Sequence, residues 1–247
     1  MLLKDRIILI TGAAGGLGAV AALALAQAGA KIVMLDKNLA GLESVYDKLL
    51  ENRGVEPILY PFDLAGASEQ DYNELAQRIE QKYGVLHGLL HSAVEFSSFT
   101  PLSQFETKSW GHSLNVNLNA PFLLTRVLLP VMQNALNASI VFTSDSSARL
   151  APAYTGAYGI SKIAVEGLAD VLSQELKTAA KIRVNTLIPQ PINSPLRHRA
   201  YPAEDKSRLP SMESLVPLYR YLFSDASLGI TGQRIDISFL KQCNSVT

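Results

Sequence analysis

Tyr158 and Lys162 stand four residues apart in Tyr158-Gly-Ile-Ser-Lys162. That spacing places both side chains on one helical face, one turn from each other. A phenol that titrates near pH 10 is a poor proton donor or acceptor at neutral pH. An ammonium close by favours its ionised form, so the hydroxyl can trade a proton with an alcohol or a carbonyl. Tyr-x-x-x-Lys pairs also arise by chance on solvated helix faces. This one carries weight because it follows an apolar strand candidate, Ala138-Ser-Ile-Val-Phe-Thr143.

A second constellation opens the chain. The run Arg6-Ile-Ile-Leu-Ile10 leads straight into Thr11-Gly12-Ala13-Ala14-Gly15-Gly16-Leu17-Gly18 and then an alanine-rich segment. A pair of phosphates needs backbone N–H groups, close approach and the positive end of a helix. Gly12, Gly16 and Gly18 suit the turn, the approach and tight helix–strand packing, and Gly15 and Leu17 belong to the same loop. Asp36 closes the second strand candidate, 18 residues after Gly18. A carboxylate there accepts hydrogen bonds from a ribose diol and repels a 2′-phosphate. No arginine stands at position 15 or beside Asp36, and Lys37 is the nearby cation. The expected cofactor is therefore NAD, with NADP the less favoured choice. Asp63, after the third strand candidate and followed by Leu64, faces an adenine amino group or caps a turn.

These residues need a scaffold, and the chain supplies one. Strand candidates begin near Ile7, Lys31, Glu56, Val85, Ala138, Lys181 and Arg234. Helix-length segments lie between them at 16–28, 39–52, 68–83, 105–136, 154–178 and 211–223. Ser68 with Asp71 reads as a helix N-cap, and Gly29, Gly54 and Gly84 as helix stops. The alternation predicts an α/β fold: one Rossmann-type, doubly wound parallel sheet with helices on both faces, in a single domain over 1–247. The stretch 189–210 holds five prolines and no periodicity, and reads as a long functional loop.

Composition narrows the function classes. Of 247 residues, 48% are hydrophobic and 18% charged, which excludes a disordered chain. With 22 basic and 22 acidic residues there is no net charge, which argues against a broad nucleic-acid or membrane surface. The single Cys243 excludes an intrachain disulfide and a cysteine zinc cluster. No secretory signal or membrane span is read, so a cytoplasmic protein is expected. His87 and His91 share a metal-ligand spacing, but on a strand four residues span roughly 13 Å, too far for one ion; no metal site is expected. Arg197-His198-Arg199 would steer an anion across the 189–210 loop or simply face solvent. Trp110 and Tyr154 would line an apolar pocket, with core packing the equal alternative for Trp110.

Taken together, the chain resembles a short-chain dehydrogenase/reductase over almost its full length. The resemblance rests on the glycine run at 11–18, Asp63, His91-Ser92-Ala93-Val94, Asn117, Tyr158-x-x-x-Lys162 and Val184-Asn-Thr-Leu-Ile-Pro189. The stretches at 155–176 and 218–223 further resemble a bacterial subgroup of mostly uncharacterised oxidoreductases. The resemblance implies that Tyr158 is the general acid/base. It implies that Lys162 binds the nicotinamide ribose and lowers the tyrosine pKa. Asn117, preferred to Asn115 because of its distance from Phe122, would kink the long fourth helix and hold a water in a proton relay. Ser92, Ala93, Val94, Pro189, Ile192 and Ser194 would border the cofactor. The implied substrate is a small-molecule alcohol or carbonyl, and the implied assembly a homodimer or homotetramer through the helices near 105–136 and 154–178.

Three positions depart from the family pattern. Asp145 stands 13 residues before Tyr158, where the family has a serine that polarises the substrate oxygen, and Ser144 and Ser146 flank it. A carboxylate donates no hydrogen bond unless protonated, so either Asp145 is neutral, or a flanking serine such as Ser144 serves, or catalysis is impaired. Val94 replaces a glycine, and Gln190 follows Pro189 where glycine is usual. A catalytically impaired NAD-binding sensor or scaffold of the same fold is the alternative reading.

Overall fold

A computed structural model describes residues 2–51, 56–178 and 181–244. Seven strands alternate with helices: β1 (Ile7–Thr11), α1 (Gly16–Gln27), β2 (Lys31–Asp36), α2 (Leu39–Glu51), β3 (Ile58–Pro61), α3 (Glu69–Tyr83) and β4 (Gly88–His91). Then come α4 (Thr107–Leu114), α5 (Ala120–Gln133), β5 (Ala138–Thr143), α6 (Gly156–Glu175), β6 (Ile182–Leu187), α7 (Pro195–Ala200), α8 (Val216–Phe223), β7 (Arg234–Ile235) and α9 (Ile237–Asn244). All pairings are parallel and the order is β3-β2-β1-β4-β5-β6-β7. The order reverses between β1 and β4. In open parallel sheets a ligand crevice forms beyond the strand C-termini at such a switch.

Both sheet faces are covered, which is why the strands read as unbroken apolar runs. Ile8, Ile10, Ile32, Met34 and Leu90 pack with α1, α2 and α8 on one face. Leu9, Val33, Leu35, Leu89 and Ile140 pack with α3, α5 and α6 on the other. The Ser68 cap is present as a reciprocal capping box with Asp71, and Gly84 ends α3 in the left-handed region. Gly54 lies outside the described residues.

Three expectations need correction. The segment 105–136 is interrupted: a π turn at Asn115–Asn119 separates α4 from α5. The stretch 189–210 is not all loop, since Pro195–Ala200 is helical with Ser194 as its N-cap. Proline at the first helical position tolerates its missing N–H there, a start signal hidden among the other prolines. The helix expected at 211–223 begins later, as α8 at Val216, after a 3₁₀ turn at Met212–Leu215.

The two histidines serve the sheet. His87 Nδ1 accepts from the Ile7 N–H at 3.1 Å. His91 stacks on Phe142 at 4.7 Å, and its Nε2 lies 2.8 Å from Thr125 Oγ1. Burial pushes the His91 pKa down to about 3. Below the unfolded value near 6.5, the unfolded chain takes up a proton that folded His91 refuses. Its stabilisation is therefore complete above that pH and is lost as pH falls toward 3. Urea midpoints measured between pH 6.5 and 5 should show His91→Phe losing about 1.4 kcal/mol per pH unit less than the parent.

Candidate active site

The strand C-termini border a cavity of about 380 Å³, which runs from the glycine loop to Tyr158. Gly12, Gly15, Gly16 and Leu17 line its first end. Gly12 has φ +70°, and a Cβ there would lie 2.7 Å from the Ala93 Cα. Gly18 lies behind the lining, where a Cβ would meet the Gly12 carbonyl at 2.2 Å. Glycine is thus required where the loop crosses β4 and where α1 abuts it. The first turn of α1 carries no acidic residue, and Gly15 gives it no side-chain cap. Its N–H groups and the helix dipole suit a phosphate pair. Thr11 Oγ1 accepts from the N–H groups of Ser92 and Ala93, both at 3.1 Å, and so locks the β4 end against the loop.

Asp36 lines the same end and is fixed by two backbone donors, Ala14 N–H at 3.1 Å and Asn38 N–H at 2.9 Å. Lys37, Asp63, Leu64, Ser92, Ala93 and Val94 also face the cavity. Asp63 Oδ1 caps its own turn through the Ala65 N–H at 3.1 Å. On the far wall stand Pro189, Ile192 and Ser194. Ser194 Oγ accepts from the Arg197 N–H at 3.2 Å as the cap of α7. The close-approach glycine, the uncapped helix start and the seated carboxylate fit a nicotinamide dinucleotide.

At the other end, Tyr158 Oη donates to Asp145 Oδ2 at 2.7 Å. Asp145 Oδ1 accepts from the N–H groups of Ser147 at 2.7 Å and Ala148 at 3.0 Å. Burial first, and then the charge and hydrogen bond of Asp145, raise the phenol pKa well above its ordinary value. This reverses the expected lowering. Lys162 is buried beneath the ring, with Nζ 5.6 Å from its centroid and donating to the Thr143 carbonyl at 2.9 Å. Its own pKa is pushed down to about 8 by burial, which the Asp145 charge partly offsets. Burial first, and then the nearby carboxylate that the family pattern lacks, set the direction of the tyrosine's shift.

Ser144 also lines the cavity, with its hydroxyl donating to Glu166 Oε1 at 2.6 Å. The kink expected at Asn117 is present as the π turn between α4 and α5. Asn117 Oδ1 accepts from the Glu95 N–H at 2.7 Å, and its Nδ2 reaches the Glu95 carbonyl at 2.8 Å and Ser161 Oγ at 3.1 Å. It sits in the π turn and clamps the 95 segment to α6 rather than lining the cavity. Trp110 packs edge-on against Phe105 at 5.9 Å, and Tyr154 is exposed; neither lines the cavity. Gln190 Nε2 turns to Asp236 at 3.3 Å.

Sequence reasoning missed the wall facing Tyr158. Phe96, Phe99 and Tyr201 form a chain of edge contacts, with Phe96 at 5.2 Å from the Tyr158 ring and Phe99 at 5.2 Å from Tyr201. Arg197 lies over Tyr201 at 3.6 Å, bonds both Glu204 oxygens and reaches Ser147 Oγ at 3.1 Å. The alternating aromatics at 96 and 99 carried no periodic signal that separates a ligand wall from core.

Comparison with known proteins agrees with this architecture. The family model described as short chain dehydrogenase matches residues 6–205. The uncharacterized oxidoreductase YciK of Escherichia coli is 37% identical over 235 residues, 95% of this chain and 92% of that protein. A short chain dehydrogenase structure from Pseudomonas syringae superposes with a TM-score of 0.91 at 40% identity, covering 96% of each chain. One from Shigella flexneri, crystallised in complex with NADP, gives 0.92 at 37% identity, covering 96% of this chain and 98% of that one. With the family model spanning residues 6–205 and a relative 37% identical over 95% of this sequence, the chain belongs to the short-chain dehydrogenase family.

Proposed function

We propose that this oxidoreductase interconverts an alcohol and a carbonyl with NAD(H), Tyr158 carrying the proton. The observation that supports this most is the placement of Tyr158, Asp145 and Lys162 at the closed end of a cavity that starts at the glycine loop. A bound nicotinamide dinucleotide supplies or accepts the hydride. Gly12, Gly15, Gly16 and Leu17 hold its phosphates, Asp36 its adenosine ribose, and Ser92 to Val94 with Ile192 border its far half. Tyr158 keeps its proton on Oη through neutral pH, the state suited to protonating a forming alkoxide. Asp145 orients that hydroxyl and Lys162 supports it from below.

Asp36 supports NAD over NADP, although the Shigella flexneri relative is crystallised with NADP. A carboxylate held by Ala14 and Asn38 has no freedom to swing clear of a 2′-phosphate. Thermal shift and calorimetry with both dinucleotides test this. Asp36→Ser should weaken NAD and strengthen NADP, each by about tenfold, as expected for one charged hydrogen bond. Tighter NADP binding by the parent chain would overturn the preference. A dehydrogenase screen follows: binding without turnover of any alcohol or ketone would favour the sensor or scaffold reading. The same proposal has one domain over 1–247 working in the cytoplasm as a homodimer or homotetramer. The exposed Ile163 and Val171 on α6 and Phe122 on α5 support the assembly, which a mass measurement by size exclusion checks.

A further inference from the structure

We infer that Arg199 anchors the substrate by an anionic end: the molecule interconverted here is an apolar carbonyl compound, or its alcohol, that carries a carboxylate. This rests on the hydride-transfer reading above and names the substrate class that the site takes.

On the substrate side of the cavity, Arg199 is the cation with an open head among the described residues. Arg197 gives its guanidinium to both oxygens of Glu204 and to Ser147 Oγ. His198 Nε2 lies 2.6 Å from Asn193 Oδ1. Lys162 Nζ donates to the Thr143 carbonyl at 2.9 Å. Lys37 stands next to Asp36, at the glycine-loop end. Arg199 lines the cavity as well, is exposed, and has no hydrogen-bond or ion-pair partner among the described residues.

The acidic groups on that side are already engaged. Asp145 Oδ1 accepts from the Ser147 and Ala148 N–H groups, and its Oδ2 from Tyr158. Glu95 Oε2 faces His112 Nε2 at 3.5 Å, and Glu204 is taken up by Arg197. None of these contacts involves Arg199, so its charge is left for a ligand. A guanidinium presents two parallel N–H donors, which match the two oxygens of a carboxylate. With Arg197 neutralised by Glu204, one open cation remains, which suits a single negative charge better than a phosphate dianion.

Helix geometry sets this charge beside the reactive centre. Leu196 and Ala200, one turn apart on α7, pack against the group formed by Phe96, Ala148 and Tyr158. Arg199 follows Leu196 by three residues and so neighbours it on the helix surface. Its aliphatic stem extends that apolar face while its head stays in the opening. Small-molecule sites fix orientation in this way, with apolar walls and a few placed polar groups. Here Phe96, Phe99 and Tyr201 take the apolar body, Tyr158 meets the reacting oxygen and Arg199 holds the far end. The carboxylate takes no part in the hydride step, so its contribution is to binding and is read in KM.

Matched probes test this. With NADH or NADPH, 3-benzoylpropionate, 4-benzoylbutyrate and 5-benzoylvalerate are each compared with the methyl ester, which keeps the body and removes the charge. At least one acid should exceed its ester in kcat/KM by about fivefold, through KM, as an ion pair of this exposure allows. Arg199→Gln should bring that ratio near one, Arg199→Lys should keep part of it, and raising the salt concentration about tenfold should shrink it. Esters equal to or better than their acids throughout, or an acid preference that survives Arg199→Gln, overturn the inference and leave the hydride-transfer reading standing. If Arg199→Gln loses dinucleotide affinity in place of acid selectivity, the arginine belongs to the cofactor diphosphate and the inference falls. If no probe turns over, calorimetry of the acids and esters with dinucleotide present decides. Binding of an acid but not of its ester, lost in Arg199→Gln, upholds the anion site while counting against hydride transfer; binding of neither overturns both.

Discussion

Tyr158→Phe should lower turnover by about three orders of magnitude on a ketone, within the usual range for loss of a positioned general acid. Dinucleotide affinity should stay within about twofold, since the phenol reaches none of the glycine-loop groups that hold the phosphates. The geometry makes this variant informative. Its ring keeps the edge contact with Phe96 at 5.2 Å and its place above Lys162, so only the oxygen is removed. Initial rates with thermal-shift titrations of the cofactor check it. Full activity in the variant would dismiss Tyr158 as the proton donor.

Asp145 is where the local chemistry of this chain parts from its family. A serine at that position donates; the carboxylate instead takes the tyrosine proton into its own hydrogen bond. Burial first, and then this carboxylate, raise the Tyr158 pKa, the opposite of what a neighbouring lysine alone would do. Sequence spacing marked the position and the chemical conflict, but which oxygen meets which hydrogen depends on the turn after β5. There the N–H groups of Ser147 and Ala148 fold back onto Asp145 Oδ1. Such a turn is a product of the tertiary fold, and no periodicity announces it.

The sheet was legible for a simple reason. Strands buried on both faces must be apolar throughout, and their helices must stop at residues such as Gly84. Gly12 was legible because close backbone contact excludes every other residue there. The substrate wall was not. Phe96 and Phe99 come from the irregular segment after β4 and Arg197 and Tyr201 from α7 and its C-terminal end, which meet only after the sheet forms, and aromatic residues at such places carry no pattern of their own. Asn117 was legible as a kink, since the π turn does centre on it. Its partners, the Glu95 backbone and Ser161, needed the assembled structure.

The largest stability effect should come from Glu166, whose role no motif suggested. Its carboxylate is buried, and burial alone would raise its pKa. Hydrogen bonds from Arg149, Ser144 and Arg234 outweigh that and hold it below the usual value. Oε1 accepts from Ser144 Oγ at 2.6 Å and Arg149 Nε at 2.8 Å, and Oε2 from Arg149 at 2.9 Å and Arg234 at 2.8 Å. The network ties α6 to the two residues that bracket the Asp145 turn and to β7. Glu166→Ala leaves the arginines facing an emptied, buried site, and should cost about 3 kcal/mol, the lower end for breaking such a pair. In a chain of this size that corresponds to a fall of roughly 6–12 °C in Tm. Arg234→Ala should cost no more than about 1 kcal/mol, since that side chain is 44% exposed and solvent screens it. Equal losses in the two variants, measured by urea or thermal unfolding, would show that the anchor lies at β7 and not beneath the Asp145 turn.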